Sequence, residues 1–408
     1  MRRPTDVIHD VFGPWAGGRS GTGLRVLSLY SGAGGLDRGF VDLGYEISHA
    51  VEVDRHAAAT YRENLGDHVV EGELPAVLRS RSKSGARSTL RPDVIIGGPP
   101  CQGFSVIGRM DPADPRSKHV HAFLDVVDTY RPAAFCMENV SSLATSPRWR
   151  GVYARLIRRA ETLGYRVTPM VLNAADYTVP QARKRLFLVG ARGLTVSPPG
   201  GPRLGGPVTV LEALRQLPAY GAVGNDTLCR ARVVLAKKPV MRPSPYKGSL
   251  LFNGSGRPLE LDAVARTLPA SMGGNGTPIL DQYELAARLA NPDAHVESWV
   301  VTHHARLMAG KVDEPSGHPL RRITLEEAAA LQSFPPDWTW AGPTNARFRQ
   351  VGNAVPPRLA RYVAQAVAEA LTSPDDRPVD PASRRIQPMA RRRRAAPALS
   401  GIPAPGTA

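Results

Sequence analysis

Cysteine is scarce in this chain, with three residues among 408: Cys101, Cys136 and Cys229. Their number and spacing exclude a disulfide framework and a cysteine-rich metal centre, and they fit a reducing, cytoplasmic setting. Long apolar runs are lacking too. No stretch reaches the roughly 18 residues that suggest a membrane-spanning helix, and the opening "MRRPTDVIHDVFGPW" has no apolar core of signal-peptide kind. The sequence therefore predicts no membrane partner and no metal. Internal repeats are absent, and no Walker lysine follows the glycine-rich turn at 32–35, which argues against ATP there.

Acidic residues are outnumbered, 36 against 52 lysines and arginines, for a net charge of +16. Seven arginines and three aspartates from Ser373 onward supply +4 of this, leaving +12 on the rest. That tail, rich in Pro, Ala, Arg and Gly, reads as disordered. A basic body suits a polyanion, and nucleic acid is the commonest. An arginine-favouring codon bias would give the same sign. With 42% hydrophobic residues the remainder is globular and long enough for two domains.

From Leu24 to Arg192 short apolar runs alternate with helix-like segments. "LRVLSL", "EISHAVEV", "RPDVIIGG", "PAAFCMENV", "RVTPMVLNAADY" and "KRLFLVGAR" read as strands. "HAFLDVVDTY" and "GVYARLIRRAETLGY" read as helices between them. Such alternation predicts an α/β fold, a mostly parallel sheet covered on both faces. From about Gly193 to Pro319 Gly and Pro become dense and only "DQYELAARLA" is strongly helical, so a second, smaller, loop-rich domain is expected. Helices return at "TLEEAAALQSFP" and "PPRLARYVAQAVAEAL". The predicted organisation is a flexible segment 1–22, a main domain of 23–195 and 322–372, a second domain of 196–321, and the tail 373–408.

Three places carry chemistry. In "YSGAGGLDRGF" glycines let the backbone approach a ligand at the start of a helix, although tight packing alone also produces such turns. The next strand ends "AVEVD", which supplies Glu52 and Asp54, and a carboxylate there can accept from both ribose hydroxyls of an adenosine-type cofactor. In "GGPPCQGFS" Pro99 and Pro100 stop any helix and hold Cys101 on a stiff, exposed turn, as a nucleophile requires. The neighbouring strand ends "FCMENV", so Glu138 and Asn139 reach the same edge. A thiolate beside a carboxylic acid suits addition to an electron-poor ring whose nitrogen the acid engages. Arg183 and Arg185 of "QARKR" alternate outward and offer cations to lower the thiol pKa. Cys136, inside an apolar strand, reads as core.

The order "SLYSGAGGLDRGF", "VEVD", "GGPPCQGFS", "MENV", "QARKRLFLVG", "RRITLEEAAALQSFP" and "FRQVGNAVPPRLA" resembles that of the DNA cytosine-5 methyltransferases. The resemblance covers about Leu24–Arg192 and Arg322–Leu371. It implies a Rossmann-like S-adenosylmethionine-dependent methyltransferase sheet with a target-recognition domain. It also implies S-adenosyl-L-methionine as cofactor, double-stranded DNA as partner, and a monomer protecting DNA from a cognate restriction endonuclease that acts on the same site without touching it. Cys101 would attack C6 of a flipped cytosine while Glu138 engages N3. Pro100, Arg185 and Arg183 would hold the base, and Asn139 the Glu138 loop. Tyr30, Ser31, Gly32, Gly34, Gly35, Leu36, Glu52, Val53, Pro99, Asn353 and Ala354 would form the cofactor site. Glu73 of "EGELPAV" would stand where the family has a "GDI"-like aspartate, and His119-Val120 where it has Leu-Phe.

In the second domain Arg230, Arg232, Lys237, Lys238, Arg242, Lys247 and Arg257 occur without an intervening acid, a backbone-following surface. Gln102, Ser105, Arg242, Lys247, Thr267 and Leu268 are the expected DNA contacts. Two rival readings share these motifs: a tRNA cytosine-5 methyltransferase, and a DNA-binding regulator on a decayed enzyme scaffold. The long recognition domain favours DNA, and the complete catalytic set favours an enzyme.

Overall fold

The computed structural model describes residues 22–74, 90–100, 118–202, 206–240, 250–291, 296 and 319–372. Seven strands form its main sheet: β1 (Arg25–Leu29), β2 (Glu46–Glu52), β3 (Val69–Glu71), β4 (Val94–Gly97), β5 (Ala134–Val140), β6 (Tyr165–Asn173) and β8 (Lys184–Arg192). A two-residue strand, β7 (Gln181–Ala182), precedes β8. The spatial order is β3-β2-β1-β4-β5-β8-β6. Neighbours from β3 to β5 run parallel, and β8 runs antiparallel to both β5 and β6. The expected mostly parallel sheet is present.

Alternation along each strand sorts side chains to two faces. Val26, Val94, Ile96, Ala134, Cys136, Phe187 and Val189 enter one core. Leu27, Leu29, Ile95, Phe135, Met137, Leu186 and Leu188 enter the other. Helix α1 (Gly35–Val41) and the C-terminal helix, named below, cover the first face; α2 (Arg55–Leu65) follows β2. Helices α3 (His119–Tyr130) and α4 (Arg150–Thr162) cover the second, with Trp149 fully buried there. Asp54 caps α2 by accepting from the backbone N–H groups of His56 and Ala57.

A third core joins two parts of the sequence. It holds Val210, Leu211 and Leu214 of α5 (Val210–Leu214), Leu259, Leu261 and Leu268, Leu280 of a strand Ile279–Asp281, and Leu285 of α6 (Gln282–Ala290). It also holds Leu325, Ala328 and Leu331 of α7 (Leu325–Leu331) and Phe348 and Val351 of α8 (Thr344–Asn353). A capping box starts α7, with Thr324 and Glu327 each bonding the other's backbone N–H. The final helix, α9 (Pro357–Thr372), buries Leu359, Ala360, Val363, Ala364 and Val367 at helical spacing against α1. Leu235–Val240 and Leu250–Phe252 pair as an antiparallel hairpin. Among the described residues, no helix is long and apolar enough to cross a membrane.

Candidate active site

The turn after β1 is shaped by two glycines with left-handed backbones. Gly32 has φ 56, and Gly34, the N-cap of α1, has φ 87 with no room for a Cβ, which would fall 2.6 Å from Leu65 Cδ1. The C-terminal segment backs this turn closely, since a Cβ on Gly35 would lie 2.4 Å from the Val355 carbonyl and 3.3 Å from Ala354. Glu52, at the end of β2, locks the turn from the other side. Its Oε2 accepts from the Gly32 N–H at 2.7 Å and its Oε1 from Asp54 N–H at 2.8 Å. Burial raises the Glu52 carboxyl above its ordinary range, and the Asp54 and Gly32 N–H groups oppose that rise.

Each expected cofactor residue has a definite place. Ser31 donates its N–H to Val51 O at 3.1 Å. Val53 is 61% exposed, an apolar side chain standing free beside the Glu52 carboxylate. Glu73 is exposed just past β3, where the Gly72 N–H donates to the Glu52 carbonyl at 2.8 Å. Asn353 ends α8 and is exposed. Leu36 is 5% exposed and its side chain packs in the first core. Beside Gly32 a Cβ would meet nothing within 4 Å. Room over the turn, a ribose-type carboxylate and an exposed apolar side chain fit an adenosine-bearing cofactor.

Among the described residues, Glu138, Asn139 and Arg185 meet at the adjoining strand ends. Cys101, Gln102 and Ser105 lie outside the described residues, as do Arg242 and Lys247. The approach to Cys101 is described up to Pro100, which is half-buried. Glu138 lies against this approach, for a Cβ on Gly98 would stand 3.1 Å from its Oε2. Asn139, 1% exposed, donates from Nδ2 to the Pro99 carbonyl at 3.1 Å, and its Oδ1 accepts from the Val140 N–H. Arg185 Nε meets Glu138 Oε1 at 3.0 Å across the antiparallel β5–β8 pair. Burial pushes the Glu138 carboxyl up, while Arg185 and then Arg183 hold it back. A carboxyl shifted upward in this way keeps its proton to higher pH than an ordinary carboxyl, as a general acid requires.

Arg183 has a second task. Its guanidinium, 1% exposed, donates to the carbonyls of Leu268 at 3.1 Å and Gly352 at 2.8 Å. Arg183 therefore acts on Glu138 through its charge, whereas Arg185 also bonds it directly. Leu268 is likewise buried in the third core at 1% exposure, which leaves Thr267 as the exposed member of that pair. The Thr267 hydroxyl donates to the Ala182 carbonyl at 2.8 Å.

Sequence reasoning missed the polar network that holds these pieces. Gln181 Oε1 accepts from the Leu268 N–H at 3.0 Å, and its Nε2 donates to Gln332 Oε1. Gln332 Nε2 in turn donates to the carbonyls of Val351 and Ala354, both at 2.9 Å. Both glutamines are fully buried. The signal available was their polarity inside the otherwise motif-like "QARKR" and "ALQSFP". Cys136 is buried in β5, as expected, and burial raises its thiol pKa.

The sheet order, the glycine turn and the acid after β2 define the class of S-adenosylmethionine-dependent methyltransferases. Residues 24–219 and 267–369 match the model of the C-5 cytosine-specific DNA methylase family, and the chain belongs to that family. It is a DNA cytosine-5 methyltransferase. The Type II methyltransferase M1.HphI of Haemophilus parahaemolyticus is 32% identical over 357 residues, 86% of this chain and 88% of that protein. M.XorII of Xanthomonas oryzae pv. oryzae, also a Type II methyltransferase, is 33% identical over 86% of each chain. The structure of the Entamoeba histolytica methyltransferase EhMeth shares the fold, with a TM-score of 0.59, 13% identity and coverage of 85% and 98%.

Proposed function

We propose that the protein methylates one cytosine within a short duplex sequence through a covalent adduct at Cys101, and that this protects DNA from a cognate restriction endonuclease. The observation that carries the reading is the meeting of Glu138, Arg185 and the Gly98–Pro100 turn at one sheet edge. The base must leave the stack, because C6 is out of reach in a duplex. The Cys101 thiolate adds to C6 while Glu138, its carboxyl raised by burial, hydrogen-bonds or protonates N3. Electron density then moves to C5, which forms the new carbon–carbon bond to the methyl group. A base removes the C5 proton, the C6–S bond breaks, and the thiolate is restored.

S-adenosyl-L-methionine, when bound, would supply that methyl group from its sulfonium, the S–CH3 bond breaking as the C5–CH3 bond forms and S-adenosylhomocysteine leaving as the neutral thioether. Glu52 would hold the ribose, Val53 and Glu73 the adenine side, and the turn from Tyr30 to Leu36 the remainder, closed by Asn353 and Ala354 and bordered by Pro99. Pro100 and Asn139 fix the approach of Cys101. Arg183 serves as a positioning residue.

Recognition falls to the part between the two catalytic segments, taken as 196–321, with 23–195 and 322–372 catalytic and 1–22 and 373–408 as flanks. The stretch 220–266, which the family model skips, contains all seven cations from Arg230 to Arg257. Arg242 and Lys247 would contact DNA there, with Gln102, Ser105 and Thr267 from the catalytic side. The enzyme acts in the cytoplasm as a monomer.

The test is base-resolution mapping of 5-methylcytosine in a methylation-free bacterial host expressing the chain or its Cys101→Ala variant. Methylation at one motif, lost in the variant, is expected. Unmethylated DNA from a folded, cofactor-binding wild-type protein would overturn the reading.

A further inference from the structure

Four non-glycine residues have positive φ among the described residues: Tyr30, Arg131, Thr178 and Ser333. Three of them follow helical turns. Arg131 caps α3, Thr178 caps the short helix Ala174–Tyr177, and Ser333 lies just past the cap of α7. A left-handed residue at a helix C-terminus is ordinary. Tyr30 is different, for at φ 55 it follows a strand and carries a bulky ring in a conformation that such residues rarely adopt. Strain of this kind persists only where the surroundings enforce it, and it gathers at ligand sites.

The enforcing contacts are visible. The next two N–H groups are taken by Val51 O and Glu52 Oε2, which fixes the backbone beyond Tyr30. The ring itself is held by one polar partner, with Tyr30 Oη 3.1 Å from His119 Nδ1. The two rings meet edge to face at 5.5 Å and 88°. Both side chains are half-buried, and the Tyr30 ring also packs against the second core, so His119 supplies its polar contact and the core its apolar one.

We propose that His119 is a positioning residue of the methyl-donor site, holding the strained Tyr30 ring over the turn and thereby setting affinity for the cofactor. The inference rests on the reading above that the turn from Tyr30 to Leu36 binds S-adenosylmethionine. Neither residue acts alone: without the imidazole the phenol has lost its anchor, and without the hydroxyl the imidazole holds nothing. Their effects on binding are therefore coupled, as neighbours sharing one interaction are.

The experiment is titration calorimetry of S-adenosylmethionine and S-adenosylhomocysteine into the cofactor-free full chain. Wild type is compared with His119→Leu, Tyr30→Phe, their double variant and His119→Asn, whose amide can replace Nδ1. Each of the first two should weaken binding about three- to tenfold, the scale of one hydrogen bond. The double variant should be no weaker than the weaker-binding single, and His119→Asn should recover most of the loss. In His119→Leu the KM for the methyl donor should rise by more than kcat at saturation falls, and thermal midpoints without ligand should agree. Wild-type affinity in both singles, or losses that multiply in the double, would overturn the inference alone. A wild-type chain that binds neither ligand would overturn the cofactor reading, and this inference with it.

Discussion

Arg183 donates to the carbonyl of Leu268 from the end of the catalytic sheet, at 3.1 Å, and to Gly352 with its other Nη. One buried guanidinium thus ties the Thr267-Leu268 segment to the end of α8, which leads into Asn353 and Ala354. Lysine has no planar fork to serve two carbonyls. Arg183→Lys should cost on the order of 2 kcal/mol of stability in urea unfolding and raise the KM for DNA. Arg185→Lys, at the partly exposed Glu138 pair, should leave stability nearly unchanged and lower kcat. Equal stability losses in the two would show that Arg183 is no strut.

Glu138 should be separable from binding. Burial holds its carboxyl above the ordinary range, so the protonated form survives to higher pH and is lost as pH rises through the shifted value. Glu138→Gln should lower kcat by roughly 10²- to 10⁴-fold, the usual scale of a general acid, with DNA affinity retained. The alkaline limb that this acid contributes to the wild-type pH–rate profile should vanish. An unchanged limb would assign it to another group.

Asp37 gives a stability test behind the cofactor turn. It is fully buried in α1, and its Oδ1 accepts from the Tyr61 hydroxyl at 2.9 Å. Burial pushes its carboxyl from 3.8 up to about 6, against opposition from the Ser28 and Tyr61 hydroxyls. The folded value lies above the unfolded one, so the stabilising contribution is complete below about 4 and is lost as pH rises through about 6. The gap corresponds to on the order of 3 kcal/mol at neutral pH. Asp37→Asn should unfold at higher urea than wild type at pH 7.5, with the difference shrinking toward pH 4.5. A difference independent of pH would rule out ionisation as its cause.

The tail from Ser373, with its seven arginines, should act through charge alone. Its deletion should weaken nonspecific DNA binding and flatten the dependence of log K on log salt, with the methylated motif unchanged. A changed motif would show that the tail takes part in reading.

Much of the sheet was legible because buried strands write themselves as apolar runs: β1, β4, β5, β6 and β8 all lie within segments that read as strands. The reversal of β8 was not, since alternation fixes which face a side chain takes and says nothing of strand direction. Helix α8 was not read from the sequence, where "FRQVGNAV" served only as a motif and Gly352 and Asn353 weaken the helical signal of the buried Phe348 and Val351. Around the site, Glu52, Glu138 and Asn139 were legible from their strand-end positions. The burial of Arg183 and Leu268 was not, because it depends on Gln181 and Gln332, brought together from 151 residues apart in the chain. The strain at Tyr30 is a matter of φ, on which residue type gives little hint.

Val234 and Asn253 face each other across the base of the hairpin, joined by hydrogen bonds of 3.0 and 2.8 Å. Arg322 then clasps Asn253 from below, donating to its carbonyl at 2.9 Å and to Thr277 O at 2.7 Å. Chimeras spliced at 196 and 321 would cut through the third core, separating Leu259, Leu268 and Leu285 from Leu325, Leu331 and Phe348. Splices just inside Val234 and Asn253 leave that core, the Arg322 clasp and the Arg183 strut whole. Exchange of the segment between them tests whether target choice resides there: the donor's motif should follow the segment, and an unchanged motif would place the reading elsewhere.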